Sequence, residues 1–216
     1  PLIVADRASY LYVDEHGQRW RLPKGDPALD QPGPLGLVRL CREVCTERNL
    51  LNVGGTFYEL PAQNAGGFIK IRPIATHNRR IHDFASYRGL LVLSGIAHHS
   101  GGDRIIRSDD GRCALWVGAV DDLWQFGKPR GRGGPWLDTE VVAGRPSDAY
   151  LATGYDHKRL TLSHRGQSTV TFMVEADFTG TGTWSEVAAI EVKRGARVEH
   201  TFPAAFGAYW LRVAAS

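Results

Sequence analysis

The sequence predicts an all-β fold from two observations, its glycine distribution and its hydrophobic periodicity. The 25 glycines among 216 residues recur in short polar clusters that separate apolar segments, which is typical of strands joined by tight turns. Apolar and polar residues alternate most clearly near the end of the chain, where Val170, Phe172 and Val174 follow a period of two. We therefore expect antiparallel strands throughout.

The strands are predicted in order from these signals. Segments 9–13 and 18–22 flank a polar turn and predict a hairpin, and a second hairpin runs out over residues 56–60 and returns over 67–72. Further strands are predicted at residues 90–96, 104–107, 113–120, 160–162, 170–174, 184–192, 197–202 and 208–213. The last of these are joined by RGQS, TGTGT and KRGA, so they are predicted to be antiparallel neighbours.

The strand number indicates the architecture. About thirteen strands at four per blade correspond to roughly three β-propeller blades, each an antiparallel four-stranded meander, with a β-sandwich as the alternative. Propellers typically use four to eight blades. Three blades cannot close such a ring. We therefore expect one all-β unit over residues 1–216, with about half of its residues in strands. The open edges of this unit are expected to be covered by another chain or by a further part of the same one.

One segment has helical periodicity. Leu37, Leu40, Cys41 and Val44 recur at spacings of three and four, and Pro34 stands near the start. The pattern predicts a short helix over Gly36 to Glu47.

The charge balance and the lengths of the apolar segments indicate whether nucleic acid or a membrane is an expected partner. Lys and Arg number 26 against 23 Asp and Glu, which gives a net charge of +3 and is too balanced for binding to nucleic acid by counterion release. No apolar run approaches the roughly 18 residues of a membrane-spanning helix. Because the chain opens at Pro1, we expect a processed chain or a piece of a longer one, and secretion or a periplasmic location stays open.

Several stretches together resemble a known group of proteins. They are LYVDEHGQRWRLPKG (11–25), GTFYELP (55–61), IRPIATHNRRIHDFASYRGLLVLSG (71–95), ALWVGAVDDLWQFGKPRGRGGPW (114–136) and FPAAFGAYWLRV (202–213). The combination resembles bacterial, mostly uncharacterised β-propeller proteins of the carbohydrate-active type. This resemblance implies the C-terminal blades of a longer propeller, a carbohydrate ligand, and an extended conformation for residues 37–51. It implies no particular catalytic residue.

The densest group of polar residues stands just before the apolar segment at residue 90. Its imidazole, carboxylate and guanidinium groups supply an acid or base, a charge partner, and donors for sugar hydroxyls or a carboxylate. The candidate catalytic residues are His82 and Asp83, and the candidate substrate-binding residues are His77, Arg79 and Arg88. The alternative is a polar connecting loop in which Asp83 pairs with an arginine.

A second group combines acidic and aromatic residues. Asp121 and Asp122 interrupt an apolar stretch, and on a regular strand only one of them faces a pocket. Asp122 is a candidate acid or base, Trp124 a candidate platform for a sugar ring, and Lys128 a further substrate-binding candidate. The alternative is a turn in which an Asp caps backbone amides. Glu59, in GTFYELP, is a third candidate catalytic carboxylate, although a single Glu on a strand is usually exposed or paired with Arg.

The remaining signals predict neither a metal nor a cofactor. The spacings of His77, His82, His98 and His99 match no established metal pattern. The sequence has no GxSxG elbow, phosphate-binding glycine loop or HExxH motif. Our leading hypothesis is a carbohydrate-active enzyme, either a glycoside hydrolase or a polysaccharide lyase. The alternative is a non-catalytic glycan-binding or assembly module.

Overall fold

A computed structural model describes residues 1–33, 36, 39–44 and 48–216 of the chain. The protein is all-β, with 42% of its residues in strands and 8% in helical turns. The strands are β1 (Leu2–Ala5), β2 (Tyr10–Val13), β3 (Arg19–Leu22), β4 (Arg39–Val44), β5 (Arg48–Val53), β6 (Thr56–Leu60), β7 (Arg72–Thr76), β8 (Phe84–Tyr87), β9 (Leu90–Leu93), β10 (Ile105–Arg107), β11 (Ala114–Gly118), β12 (Ala149–Leu151), β13 (Arg159–Ser163), β14 (Val170–Asp177), β15 (Ser185–Val192), β16 (Arg197–Thr201) and β17 (Trp210–Ala215). Short 3₁₀ helices span Pro27–Leu29, Gln63–Ala65, Gly67–Lys70 and Val120–Phe126.

The chain divides into two compact units. The terminal unit comprises Pro1–Pro23 with Arg132–Ser216, and the central unit comprises Lys24–Gly131. In the part of the chain that the structure describes, no helix is long and apolar enough to cross a membrane.

The terminal unit is built on a seven-stranded sheet with the order β1-β2-β3-β12-β17-β14-β15. Its pairings are antiparallel except for the parallel pair of β3 and β12. A separate two-stranded ladder joins β13 to β16. Leu162 from this ladder shares a hydrophobic core with Phe172, Val192 and Val213 from the large sheet, so the ladder packs against the sheet instead of extending it.

A buried ion network ties together the strands at the start of the terminal unit. The Arg21 side chain is only 9% exposed. Its Nη1 lies 2.6 Å from Asp6 Oδ2 and its Nε lies 2.8 Å from Asp148 Oδ2. Arg21 Nη1 also donates to Ser9 Oγ at 2.9 Å. The charge of Arg21 is therefore balanced where little water reaches it.

The central unit contains two four-stranded antiparallel sheets. The first has the order β4-β5-β6-β7 and the second the order β10-β11-β9-β8. Leu50 and Phe57 from the first sheet share one hydrophobic core with Leu93 and Trp116 from the second. Only the first sheet is a simple meander, since β11 lies between β9 and β10 in the second.

The structure confirms the all-β class and corrects the predicted helix. Residues 39–44 of the expected helix Gly36 to Glu47 form strand β4, which pairs with β5 along its whole length. Leu40 and Val44 both pack on the core, and their spacing of four residues satisfies a period of two as well as the helical period. The resemblance correctly implied extended chain at residues 39–44 and 48–51, whereas residues 37, 38 and 45–47 lie outside the described residues.

Other element predictions are corrected in part. The return strand expected over 67–72 is a 3₁₀ helix, Gly67–Lys70, and the strand itself begins at Arg72. TGTGT does join the antiparallel neighbours β14 and β15, as predicted. RGQS and KRGA instead connect strands of different sheets, because β13 pairs with β16. No closed barrel or propeller is formed within the described ranges, and the covering of open edges by another chain stays a prediction.

Candidate functional site

A small cavity of about 270 Å³ opens on the central unit. Its described lining combines apolar side chains with polar and aromatic ones: Val44, Asn49, Leu50, Glu59, Ile74, Val120, Asp121 and Trp124. Val44 and Leu50 are buried members of the core, whereas Asp121 and Trp124 are exposed. The cavity therefore has an apolar floor with carboxylates and an indole at its rim.

The two rim residues of one helix face the cavity because of 3₁₀ geometry. Asp121 and Trp124 stand on the helix Val120–Phe126, which packs against β7. A 3₁₀ helix has three residues per turn, so side chains three positions apart lie one above the other. Leu123 of the same helix is fully buried in the core. This arrangement points Asp121 and Trp124 away from the core and toward the cavity.

Asp122 holds this helix in place. Its Oδ2 accepts a hydrogen bond from the Ala119 amide at 2.7 Å and lies 2.7 Å from Arg104 Nη1. Its Oδ1 accepts from Arg104 Nη2 at 2.8 Å and from Gln125 Nε2 at 3.2 Å. This is the capping role given above as the alternative for one of the adjacent aspartates. It is the neighbouring Asp121 that lines the cavity.

Trp124 is the most exposed large aromatic side chain among the described residues, at 69%. An indole that stays mostly in water does not contribute the folding free energy that its burial would supply. Single exposed apolar side chains are common on protein surfaces, so the position of Trp124 in the lining of the cavity is the informative observation. Beside a cavity, Trp124 provides a flat apolar surface for a ligand.

Glu59 joins the cavity from the first sheet. It stands opposite Arg72 in the register of β6 and β7, and Arg72 Nη2 lies 3.0 Å from Glu59 Oε2. Both side chains are partly exposed, at 36% for Glu59 and 57% for Arg72. The pair is therefore a weak surface ion pair, and a carboxylate accepts several further hydrogen bonds.

His77 turns into the core instead of toward a ligand. Its Nδ1 accepts a hydrogen bond from the Arg79 amide at 3.0 Å, so Nε2 carries the proton and donates it to Asn52 Oδ1 at 2.9 Å. Its ring also packs on Phe57 at 4.5 Å between centroids. Burial, aided by the Arg79 charge, lowers the pKa of His77 to about 3, so the ring is neutral and both nitrogens are engaged.

The other residues of the 76–88 group point in different directions. Asp83 is exposed and forms a bidentate ion pair with Arg42. Arg42 Nε donates to Asp83 Oδ1 at 2.6 Å, and Arg42 Nη2 donates to Asp83 Oδ2 at 2.9 Å. This guanidinium, together with the Phe84 amide, holds the pKa of Asp83 below its usual value. Arg88 sits in the β8–β9 turn at a φ of 51°, with its guanidinium 5.4 Å from the Tyr87 ring centroid.

Arg79, His82 and Lys128 also stand apart from the described lining of the cavity. The Arg79 guanidinium lies over the Phe126 ring at 5.7 Å. His82 is half-buried. Lys128 is exposed in the loop after the helix, where Thr76 Oγ1 donates to the Arg130 carbonyl at 3.0 Å and accepts from the Arg130 amide at 2.8 Å.

Of the predicted site residues, the cavity thus brings together Glu59 and Trp124. Asp121 and Asn49 are added by the structure. The spacing of three between Asp121 and Trp124 would have revealed their common face had a 3₁₀ helix been recognised instead of a strand. Asn49 carries no comparable signal, because its place depends on the pairing of β5 with β6. No cluster of three or more potential metal ligands occurs in the described parts of the chain.

Comparisons of the chain with protein-family models, with curated proteins and with solved structures find no match.

Proposed function

We propose that this chain is a glycan-binding protein of the carbohydrate-active type, which holds one sugar ring in the cavity of the central unit. The observation that carries the proposal is the exposed Trp124 beside the carboxylates of Asp121 and Glu59 at one cavity. The apolar face of a sugar ring stacks on the indole, and its hydroxyls donate hydrogen bonds to the two carboxylates. Hydrogen bonds to charged acceptors are the stronger kind.

The size of the cavity supports binding of a single ring. Its volume of about 270 Å³ lies just below the roughly 300 to 1,000 Å³ of sites for drug-sized ligands. The remainder of a longer glycan would extend over the exposed surface around Trp124.

Substitution of the indole tests this proposal. We expect Trp124→Ala to weaken glycan binding by about tenfold, because loss of an aromatic stacking contact costs about 1.5 kcal/mol. Isothermal titration with a panel of neutral, basic and acidic oligosaccharides measures the effect. Tyr87→Ala is the matched control, since Tyr87 is 62% exposed and lies outside the lining. Equal binding by the wild type and Trp124→Ala, or no binding of any oligosaccharide, would contradict the proposal.

A second candidate function is glycoside hydrolysis. Glu59 and Asp121 line the same cavity, and a glycosidase needs two carboxyl groups that flank the scissile bond. A polysaccharide lyase would instead use His or Tyr as a base with Arg to neutralise a uronate, and the described lining contains none of these residues. The cavity therefore favours the hydrolase over the lyase.

Release of reducing ends separates catalysis from binding alone. A hydrolase would lose turnover in Glu59→Gln and in Asp121→Asn, while His82→Ala would keep it. Binding with no product from any polysaccharide supports the non-catalytic function. Turnover that survives both carboxamide substitutions but disappears in His82→Ala would move the site to the 76–88 group.

The relation to β-propeller proteins belongs to the same proposal. Two antiparallel four-stranded sheets with a shared core support propeller-like blades, as does the resemblance of the sequence to bacterial β-propeller proteins of the carbohydrate-active type. The place of β11 between β9 and β10 departs from a simple blade meander. The ladder β13–β16 packed on the large sheet supports a sandwich for the terminal unit.

A further inference from the structure

The second sheet of the central unit has an apolar outer face. Phe84, Leu93 and Trp116 belong to the hydrophobic core, and side chains alternate between the two faces of a strand. The positions that point away from the core on β8, β9, β10 and β11 are Ala85, Tyr87, Leu90, Val92, Ile106, Leu115 and Val117. An antiparallel sheet that faces water on one side usually has polar residues at such positions.

The side chains of this outer face form one continuous patch across the four strands. The cross-strand pairs are Tyr87–Leu90, Ala85–Val92, Val92–Val117 and Ile106–Leu115. The exposed fraction is 62% for Tyr87 and 59% for Ile106. A contiguous apolar patch, in contrast to a single exposed side chain, marks an interaction surface.

The first sheet of the same unit shows how such apolar positions are covered. Leu50 packs in the core that the two sheets share. Leu51, which points to the opposite face of the same strand, is only 3% exposed, so the first sheet is covered on both faces. The segment Leu90–Leu93 of the second sheet is also apolar at every position, which is typical of a strand buried on both faces. We therefore expect a further layer on the outer face.

Charges of opposite sign flank the outer face at two diagonal corners. Arg88 lies in the turn between β8 and β9, and Asp109 and Asp110 lie in the turn between β10 and β11. The sheet order β10-β11-β9-β8 places these turns at opposite ends of the strands and on opposite sides of the sheet. Arg112 also stands in the second turn and pairs with Asp110 at 3.7 Å, so this turn has a net negative charge.

We propose that a second copy of this chain packs on the outer face, so that the two sheets lie face to face about a two-fold axis. In such an interface each contact occurs twice, once in each direction. An axis between the faces and across their diagonal brings Tyr87 and Leu90 of one protomer onto Ile106 and Leu115 of its partner. The same operation brings Arg88 of each protomer to the acidic turn of the other.

The flanking charges favour a second copy over another partner. A partner with one sign of charge would match only one of the two corners, whereas a second copy matches both. The outer face measures about 15 Å by 15 Å from the strand spacing and rise, which is small for a permanent dimer. We therefore expect a dissociation constant of about 10 to 100 µM. The cavity lining takes no part, so the dimer is independent of glycan binding.

The mass of the full chain in solution tests the interface. Light scattering and sedimentation between about 5 and 500 µM should show a mass that rises from one chain toward two. We expect Ile106→Lys to raise the dissociation constant about tenfold or more, because its ammonium group would be buried against apolar side chains. Leu2→Lys is the matched control, since Leu2 is 54% exposed on β1. Circular dichroism checks that both variants fold.

A charge exchange tests the two-fold arrangement. Arg88→Glu and Asp109→Lys should each weaken self-association about threefold, because each places like charges together at both corners. An equimolar mixture of the two variants should associate as tightly as the wild type, since every corner then joins opposite charges. Asp109 is chosen because Asp110 holds its own turn, where it accepts from Ser108 Oγ at 2.6 Å and from the Arg112 amide at 3.0 Å.

Three results would overturn the proposal. The first is a mass of one chain at every concentration, which would leave the outer face to a sheet of a different polypeptide. The second is a dimer that Ile106→Lys leaves intact, because the interface would then lie elsewhere on the chain. The third is a mixture of Arg88→Glu and Asp109→Lys that associates no better than either variant alone.

Discussion

His77 and Asn52 form a hydrogen-bond chain through the core of the central unit. His77 Nε2 donates to Asn52 Oδ1, and Asn52 Nδ2 donates to the Ile81 carbonyl at 3.2 Å. Asn52 has no exposed surface, so an unsatisfied group here would carry the full cost of desolvation. These hydrogen bonds provide partners for the polar groups of both side chains and fix the tautomer of His77.

The buried position of His77 predicts that the free energy of unfolding depends on pH. The pKa of His77 is about 3 in the folded protein against 6.5 for a free side chain, so the unfolded state binds the extra proton. The stabilisation is complete above pH 6.5 and decreases as the pH falls toward 3, with a slope of up to about 1.4 kcal/mol per pH unit. Urea unfolding between pH 7.5 and about 4.5 measures the slope. His77→Gln keeps a donor for Asn52 without titrating, and an unchanged slope in this variant would contradict the role of His77.

The sequence predicts the place of a site residue only where the local backbone geometry sets the direction of its side chain. Trp124 and Glu59 were identified by residue type and reach the cavity. His77 was identified by type alone, yet the pairing of distant strands turns it inward. Asp121 and Asp122 were interpreted on a strand, where the two alternate, whereas the 3₁₀ helix gives Asp122 to the cap and Asp121 to the cavity.

Among the elements, the helix Val120–Phe126 is held in part by Arg104. Arg104 pairs with Asp122 at 2.7 Å from the chain just before β10, and the helix in turn presents Asp121 and Trp124. We expect Arg104→Ala to weaken glycan binding by about threefold without contact to the ligand, since small displacements of a binding side chain reduce affinity. Titration with the best-bound oligosaccharide checks this. Arg104→Lys should restore part of the affinity, and Arg112→Ala, an exposed control, should have no effect.

The buried ion network of the terminal unit is expected to matter more for stability than the pairs on its surface. Arg21→Ala removes the contacts of Asp6 and Asp148 with a cation that is only 9% exposed, although Asp148 keeps its pair with Arg19 at 2.9 Å. We expect a loss of about 2 kcal/mol in the free energy of unfolding. Arg159→Ala removes a pair with Glu199 in which both partners are exposed, and should cost below about 0.5 kcal/mol. Chemical denaturation compares the two variants. Equal losses would contradict the importance of burial.

Strand β4 and the ladder β13–β16 show why element predictions fail where pairing is non-local. The spacing of Leu40 and Val44 fits either a helix or a strand, and β5 decides between them by offering a hydrogen-bonding edge. Short turns after β13 and β15 indicated neighbouring strands in one sheet. Burial of Leu162 and Val198 against Phe172 and Val213 instead favours a second layer, which no local signal encodes.

At the scale of the whole molecule, the fold class follows from composition, whereas the sheet arrangement depends on contacts between distant segments. Glycine-rich turns and alternating apolar residues correctly predicted an all-β protein. The parallel pair of β3 with β12 joins residues more than a hundred positions apart. Such pairing depends on which apolar faces meet in three dimensions, and so the division into a terminal and a central unit was not predicted.

The measurement that tests the central proposal most directly is a nuclear magnetic resonance titration of the tryptophan indole N–H signals. Trp124→Phe assigns the signal of Trp124, and Trp116, which is 7% exposed in the core, is the internal control. We predict that glucosamine or N-acetylglucosamine hexamer shifts the Trp124 signal in a saturable manner and leaves Trp116 unchanged. A Trp124 signal that stays fixed while backbone signals of Arg79 and Arg88 shift would contradict the proposed site.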